Sequence, residues 1–183
     1  RVLAYRESLE ATFTLAQDTI ARGIQGDLVE CGVFAGAQCA VMAKAIMLSG
    51  EKRKVHLFDS FEGMPQCGPE DHEFIRAHKR PGEACQTIED VKRNMVEWQI
   101  PEDMLVYHKG WFADTVPNSD TGPVSLLRLD GDLYESTKVC MTHLYPRVSM
   151  GGWVIVDDYH LSGCEKAVRE AVAPHPIYFQ RLP

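Results

Sequence analysis

The chain lacks the long apolar runs and the excess positive charge that would point to a membrane or a nucleic acid. No apolar stretch in its 183 residues reaches the roughly 20 residues that a membrane-spanning helix needs. The net charge is -7, whereas the phosphates of nucleic acids bind basic faces. We therefore expect neither a membrane nor a nucleic acid as a partner.

Paired cysteines are also missing. None of the six cysteines forms a C-x-x-C pair, and Cys31, Cys39 and Cys140 lie in apolar strand or helix patterns. Unpaired thiols of this kind are typical of a reducing compartment rather than of a disulfide framework or a zinc cluster. We therefore predict a cytoplasmic protein with free cysteines.

Strand-like and helix-like segments alternate along the chain, which is long enough for one sizeable core. The predicted strands are 27–34, 54–58, 104–108, 124–129 and 152–156, with a further short strand at 177–179. The predicted helices are 2–22, 38–48, 88–98, 136–145 and 164–173. This alternation predicts a single α/β domain over 1–183, with a doubly wound, mainly parallel sheet and helices on both faces.

A polar segment, residues 66–86, interrupts the alternation after the second strand. It carries Gly68, Pro69, Pro81 and Gly82. Long polar connections inside compact domains are usually active-site lids or disordered segments. We predict that this segment is a lid-like insertion over the carboxyl ends of the strands.

Two successive predicted strands end in pairs of carboxylates. Asp130 and Asp132 follow strand 124–129, and Asp157 and Asp158 follow strand 152–156. Ligands of open α/β sheets bind at the carboxyl ends of the strands, and crowded carboxylates repel one another unless a cation bridges them. Single aspartates at such positions are often helix caps, but a repeated pair favours a site. Since no His or Cys stands among these acids, Mg²⁺ is favoured over zinc.

The first strand ends in a glycine turn that matches neither a dinucleotide-binding fingerprint nor a P-loop. The stretch from Glu30 to Gly36 reads E-C-G-V-F-A-G, and no Lys follows it. Glu30 would repel a pyrophosphate and suits an amino-bearing ligand. Asp59 ends the second strand, where an acid binds ribose hydroxyls in nucleotide-binding βαβ units. A nucleoside with an amino group and no phosphate, such as S-adenosylmethionine, fits both acids, although plain turn residues would also explain them.

The glycine turn resembles the E-x-G-x-x-x-G loop of cation-dependent, catechol-type O-methyltransferases. Four further stretches resemble the macrocin O-methyltransferase family, which methylates sugar hydroxyls of macrolide antibiotics: 59–65 (DSFEGMP), 110–117 (GWFADTVP), 129–137 (LDGDLYEST) and 151–159 (GGWVIVDDY). The similarity covers about residues 26–173. It implies a Rossmann-like class I methyltransferase fold that uses S-adenosylmethionine and magnesium. The chain ends where the family forms a C-terminal hairpin, so we expect that hairpin to be lacking.

The resemblance also implies roles for individual residues. The expected metal ligands are Asp130, Asp157 and Asp158. The methionine end of the cofactor would lie against the glycine turn, the ribose at Asp59 and the adenine near two aromatic residues. The residues expected at the cofactor are Glu30, Gly32, Val33, Phe34, Gly36, Asp59, Ser60, Phe61, Trp111, Phe112 and Asp130.

The acceptor is expected to be a hydroxyl of a small molecule, most simply a sugar of a glycosylated natural product. Such a hydroxyl must lose its proton, and histidine side chains titrate near neutrality. His78, in the lid-like segment, is the candidate general base, with Asp132 as a second catalytic candidate. His72 and His160 compete for the same role, and a homo-oligomer is left open.

Two other classes of protein share parts of this pattern. A haloacid-dehalogenase-type phosphatase also uses paired aspartates and magnesium, but its D-x-D-G-T motif is not matched, because Leu133 directly follows Asp132. A non-catalytic nucleoside- or metal-binding module would need the same strand-end acids without turnover. Binding of S-adenosylmethionine followed by methyl transfer separates the three.

Overall fold

The computed structural model describes residues 5–173 and 179–180. In it, five parallel strands form one sheet in the order β3-β2-β1-β4-β5. The strands are β1 (Asp27–Cys31), β2 (Val55–Asp59), β3 (Leu105–Lys109), β4 (Val124–Leu129) and β5 (Val148–Val156). The helices are α1 (Arg6–Ala21), α2 (Ala37–Ser49), α3 (Glu73–His78), α4 (Ile88–Glu97), α5 (Phe112–Thr115), α6 (Tyr134–His143) and α7 (Ser162–Val172). The predicted doubly wound parallel sheet is confirmed, whereas the predicted strand at 177–179 lies largely outside the described residues.

Helices cover both faces of the sheet, which is why its central strands are apolar on both sides. Every residue of β4 is buried. One face packs against α1, α2 and α4 through a core that includes Leu28, Met42, Ile46, Leu57, Met95 and Leu126. The other face packs against α6 and α7 through a core that includes Phe58, Leu127, Leu129, Met141, Leu144 and Val168. None of the helices in the described part of the chain is long and apolar enough to cross a membrane.

The order in which strands are added to the sheet reverses between β1 and β4. The chain runs outward from β1 to β3 and then returns to lay β4 against the other side of β1. At the carboxyl ends of these two strands the Asp130 amide donates to the Cys31 carbonyl at 2.8 Å. A Cβ on Gly32 would stand 1.8 Å from the Asp130 carbonyl oxygen. Only glycine fits there, and the crevice beside such a reversal is where α/β sheets bind ligands.

The segment 66–86 is more ordered than the polar composition suggests. It contains α3, which the sequence did not predict, and the His72 side chain accepts the Phe74 amide hydrogen at the start of that helix. Ile75 anchors the segment in a third apolar cluster at the carboxyl ends of the strands, together with Met64, Leu133, Leu161 and Cys164. The segment therefore packs against the residues that follow β4 and β5.

Candidate active site

A buried ion pair joins β1 to β4 directly beneath the crevice. The parallel register places Glu30 opposite Arg128, and the Arg128 Nη1 atom donates to Glu30 Oε1 at 2.9 Å. The Glu30 side chain is 1% exposed and the Arg128 side chain is 2% exposed. Burial raises the pKa of Glu30 to about 7, against the opposing effect of Arg128. The second Glu30 oxygen accepts from Cys39 Sγ at 2.6 Å, so both oxygens are engaged below the crevice rather than in it.

Arg128 also binds two of the strand-end aspartates. Its Nη1 atom donates to Asp130 Oδ2 at 2.7 Å, and its Nη2 atom donates to Asp157 Oδ1 at 2.5 Å. Burial alone would lower the pKa of Arg128, but Glu30, Asp130 and Asp157 raise it. The guanidinium is therefore a permanent cation at the centre of the acidic site.

Sequence reasoning did not identify Arg128, although one signal was available. It is the single charged residue in the otherwise apolar or small run of β4. A buried charge requires partners, and carboxylates at the neighbouring strand ends are candidates for that role. The register that pairs Arg128 with Glu30 is a long-range property of the sheet.

Three carboxylates converge above Arg128. One oxygen each of Asp130, Asp132 and Asp158 lies within 4.8 Å of the others. Burial, together with Asp130 and Asp132, raises the pKa of Asp158 to about 8, and burial raises the pKa of Asp130 and of Asp132 as well. Carboxylates crowded in this way repel one another when ionised, and a divalent cation could relieve that repulsion.

Asp157, which was predicted as a metal ligand, does not belong to this converging group. Its carboxylate is held by Arg128 and is 39% exposed. Asp130 and Asp158, the other two predicted ligands, do converge, and Asp132 takes the third place. Asp130, Asp157 and Asp158 nevertheless share one property: each is oriented by a hydrogen bond through one oxygen, to Arg128 or to the Asp132 amide.

Asp59 organises the glycine turn as well as ending β2. Its Oδ2 atom accepts from the Val33 amide at 2.7 Å and from the Phe34 amide at 3.2 Å, and its Oδ1 atom accepts from the Phe61 amide at 2.7 Å. A carboxylate offers about four acceptor positions, so one position on Oδ1 stays available. Phe34 and Phe61 have positive φ angles of 46° and 56°, which three hydrogen bonds to one carboxylate help to maintain.

The other residues predicted at the cofactor differ in how far their side chains are buried. Ser60 and Phe61 are buried: the Ser60 hydroxyl donates to the Gly63 carbonyl, and Phe61 packs in the first core. Phe112 is partly buried in the second core, and its ring would lie 3.2 Å from a Cβ on Gly131. Trp111 is 39% exposed, so part of its ring is accessible to a ligand. Gly36 adopts the left-handed conformation at the start of α2.

His78 lies on the exposed side of α3. Its ring stacks on Phe74 with centroids 4.4 Å apart, and its Nδ1 atom bonds to the Phe74 carbonyl at 2.9 Å. A carbonyl only accepts, so the hydrogen stands on Nδ1 and the lone pair on Nε2. Burial raises the pKa of Asp132, and Lys79, the residue after His78, and His160 oppose that rise. His72 is occupied as the cap of α3.

Comparison with known proteins identifies the class. The fold is the Rossmann-like fold of class I methyltransferases: a parallel sheet whose strand order reverses between β1 and β4. The glycine turn and the strand-end acids lie at that reversal. The family described as macrocin O-methyltransferase (TylF) matches residues 5–178. The chain belongs to that family.

Individual relatives agree with this assignment. The chain is 39% identical over 158 residues to the 8-demethyl-8-(2,3-dimethoxy-alpha-L-rhamnosyl)-tetracenomycin-C 4'-O-methyltransferase of Streptomyces olivaceus, covering 84% of this chain and 60% of that protein. It is 38% identical over 174 residues to the demethyldecarbamoylnovobiocin O-methyltransferase of Streptomyces niveus, covering 92% and 66%. The solved structure of the O-methyltransferase NovP superposes with a TM-score of 0.83 at 37% identity, covering 92% and 72%. The chain thus spans less than two thirds of the length of these two curated relatives.

Proposed function

We propose that this protein is an S-adenosylmethionine- and magnesium-dependent O-methyltransferase that acts on a sugar hydroxyl of a glycosylated natural product. The observation that carries the proposal is the gathering of strand-end aspartates at the reversal point of the sheet, next to the glycine turn: Asp130, Asp132 and Asp158 converge, and Arg128 binds Asp130 and Asp157. Membership of the macrocin O-methyltransferase family supports the reaction class. The six free cysteines support a reducing, cytoplasmic location.

The cofactor would lie along the carboxyl ends of β1 and β2. Gly32, Val33, Phe34 and Gly36 form the turn that its methionine end would meet. The free acceptor position on Asp59 Oδ1 would take a ribose hydroxyl, and Trp111 would face the adenine. Ser60, Phe61 and Phe112 would shape this site through packing. Glu30 would act from below, by adding negative charge and by orienting Arg128, rather than by direct contact with the sulfonium.

The residues present fit a magnesium ion. Asp130, Asp157 and Asp158 would hold it, because each has one oxygen fixed by a hydrogen bond and the other oxygen left for a ligand, the arrangement expected for carboxylates that bind metals. A magnesium ion in such a site supplies Lewis-acid stabilisation of an acceptor oxygen and orients it. Asp130 stands between both sites and would also border the cofactor.

Asp132 and His78 are the proposed proton acceptors. Asp132 reaches the acidic crevice without any hydrogen bond to its carboxylate among the described residues, and burial raises its pKa, which suits a carboxylate that takes a proton. His78 belongs to the segment packed against the same strand ends, and its Nε2 atom makes no hydrogen bond to the described residues. Positioning of the acceptor hydroxyl would supply much of the acceleration.

The relatives support this acceptor class: one is named for a rhamnosyl-tetracenomycin and another for demethyldecarbamoylnovobiocin. A phosphatase reading has less support, because Asp130 in the nucleophile position is bound to Arg128. A non-catalytic binding module would leave Asp132 and segment 66–86 without a role.

Calorimetric titration with S-adenosylhomocysteine, followed by transfer of labelled methyl groups to a panel of aryl and alkyl L-rhamnosides with and without Mg²⁺, tests the proposal. We expect micromolar-range binding, methyl transfer to at least one glycoside and loss of transfer in chelator. A protein that does not bind S-adenosylhomocysteine, or that turns over fully in chelator, would contradict the cofactor or the metal assignment, respectively.

A further inference from the structure

The loop that carries Asp132 contains a strained turn. The Leu133 amide donates to the Gly131 carbonyl at 2.6 Å, which closes a three-residue turn around Asp132. The φ angle of Asp132 is 57°, the sterically unfavourable hand for such a turn. A residue of this kind persists only where its surroundings hold it.

Two carboxylates hold this turn, one on each side. The Asp132 amide donates to Asp158 Oδ2 at 3.0 Å. The Tyr134 amide, at the first residue of α6, donates to Asp71 Oδ1 at 2.6 Å. Leu133, between them, is buried in the apolar cluster that Ile75 anchors. Segment 66–86 therefore supplies both a polar contact, through Asp71, and an apolar contact, through Ile75, to the turn.

Asp71 is built into this position. It is 6% exposed, and its second oxygen accepts from the Gly68 amide at 2.7 Å. The start of α7 makes room for the segment through Gly163, where a Cβ would stand 3.0 Å from the Glu70 carbonyl oxygen and 3.2 Å from Asp71 Cα. A glycine at the point of closest approach and a buried carboxylate with a hydrogen bond to each oxygen are independent signs of a fixed docking geometry.

We propose that Asp71 is a positioning residue for the acidic site: by binding the Tyr134 amide, it holds the turn that orients the Asp132 carboxylate and the Asp158 carboxylate bound to it. The inference rests on the proposed function of these acids. Asp71 does not touch a reacting atom. It couples the docking of segment 66–86 to the shape of the cation site, so a segment that lifts would also loosen the acids beneath it.

Hydrogen exchange and Mn²⁺ titration test this role in Asp71→Ala and Asp71→Asn. Glu70→Gln is the matched control, because Glu70 is the neighbouring acid of the same segment and binds Lys166 on α7 instead of the turn. We expect Asp71→Ala to speed exchange of the amides of residues 132–134 by about tenfold or more. Mn²⁺ affinity, measured by electron paramagnetic resonance, should fall about tenfold, the lower end of the effect of removing a group that orients metal ligands.

Asp71→Asn keeps one acceptor oxygen and should fall between wild type and Asp71→Ala. Affinity for S-adenosylhomocysteine should stay unchanged in all three variants. The inference is overturned if Asp71→Ala binds Mn²⁺ like wild type, or if exchange rises across the whole chain instead of at the turn. Absence of Mn²⁺ binding in wild type would instead contradict the metal site, and local exchange alone would then decide whether Asp71 holds the turn. If Asp71→Ala does not fold, Asp71→Asn provides the same comparison.

Discussion

Arg128 and Glu30 form a hydrogen-bonded ion pair with almost no solvent exposure, and they stand directly opposite each other in neighbouring parallel strands. The pair links the two strands at which the sheet reverses. Since the same guanidinium also binds Asp130 and Asp157, the interior of the sheet and the acidic crevice share one cation. The integrity of the crevice therefore depends on a residue that a ligand need not touch.

Replacing Arg128 with Met should destabilise the fold strongly. Glu30 would be left buried without its partner, a change that typically costs about 3–5 kcal/mol. Chemical denaturation measures the loss, and Arg169→Met is the control, because Arg169 forms an exposed pair with Glu165 and its removal should leave the free energy of unfolding nearly unchanged. The double variant Arg128→Met with Glu30→Gln should recover part of the loss. A single variant as stable as wild type would show that the buried pair contributes little.

Gly32→Ala should disrupt the contact between β1 and β4. A Cβ at this position would overlap the Asp130 carbonyl oxygen, and backbone hydrogen bonds tie both residues to strand ends, Gly32 to Phe58 and Asp130 to Cys31. Gly23→Ala is a matched control, since Gly23 also has a positive φ angle but has no atom within 4 Å of an added Cβ. We expect the control to cost about 1–3 kcal/mol and Gly32→Ala to cost about 4 kcal/mol or more, as measured by urea denaturation. Equal losses would mean that conformation, not contact, requires glycine at position 32.

The strand-end acids could be predicted from the sequence because each follows directly on an apolar strand. The ion partner of Arg128 and the role of Asp71 could not. The partner of Arg128 is set by a parallel register between residues far apart in the chain, and nothing local distinguishes Asp71 from Glu70 in the polar segment. The sequence also predicted direct roles at the cofactor for Glu30, Ser60 and Phe61, whereas the structure buries them, because acids and aromatics beside glycine turns can equally support the turn from within.

Asp157→Asn and Asp132→Asn should separate metal binding from catalysis. If Asp157 is the third ligand, Asp157→Asn should lower Mn²⁺ affinity about 10-fold to 100-fold or more, on the scale of changes around metal ligands. Asp132→Asn should keep Mn²⁺ affinity within a few-fold and lower the turnover rate. Electron paramagnetic resonance of Mn²⁺ and methyl transfer measure the two effects. The reverse pattern would make Asp132 the ligand, as its convergence with Asp130 and Asp158 allows.

The stability of the protein should respond to acid through His108. His108 stacks on Phe58, and its Nε2 atom lies 2.9 Å from Nδ1 of His56, which in turn contacts Asp27. Burial and the neighbouring His56 lower the pKa of His108 from 6.5 to about 4. The unfolded chain therefore binds more protons than the folded protein between these values, so this contribution is lost as the pH falls from about 6.5 to about 4.

Denaturation of wild type and His108→Gln at pH 7.5, 6 and 5 measures that contribution. The raised pKa values of Glu30 and Asp158 act in the opposite direction, so the difference between the two proteins, rather than either curve, is the relevant quantity. We expect wild type to lose stability relative to His108→Gln as the pH falls. His160→Gln, which alters an exposed histidine, is the control. Parallel curves for wild type and His108→Gln would contradict the role of His108.

His78→Ala should lower the turnover rate if His78 is the general base. Its Nδ1 hydrogen is committed to the Phe74 carbonyl, which leaves Nε2 able to accept a proton, and α3 is docked against the strand ends by Ile75. Loss of a general base typically costs about 10²–10⁴-fold in rate. Affinity for S-adenosylhomocysteine should be unchanged, because the segment would meet the acceptor rather than the cofactor. Arg76→Ala, an exposed neighbour on the same helix, should keep normal turnover, and added imidazole should partly restore His78→Ala. Normal turnover of His78→Ala with the same glycoside would instead assign the proton to Asp132 or to His160.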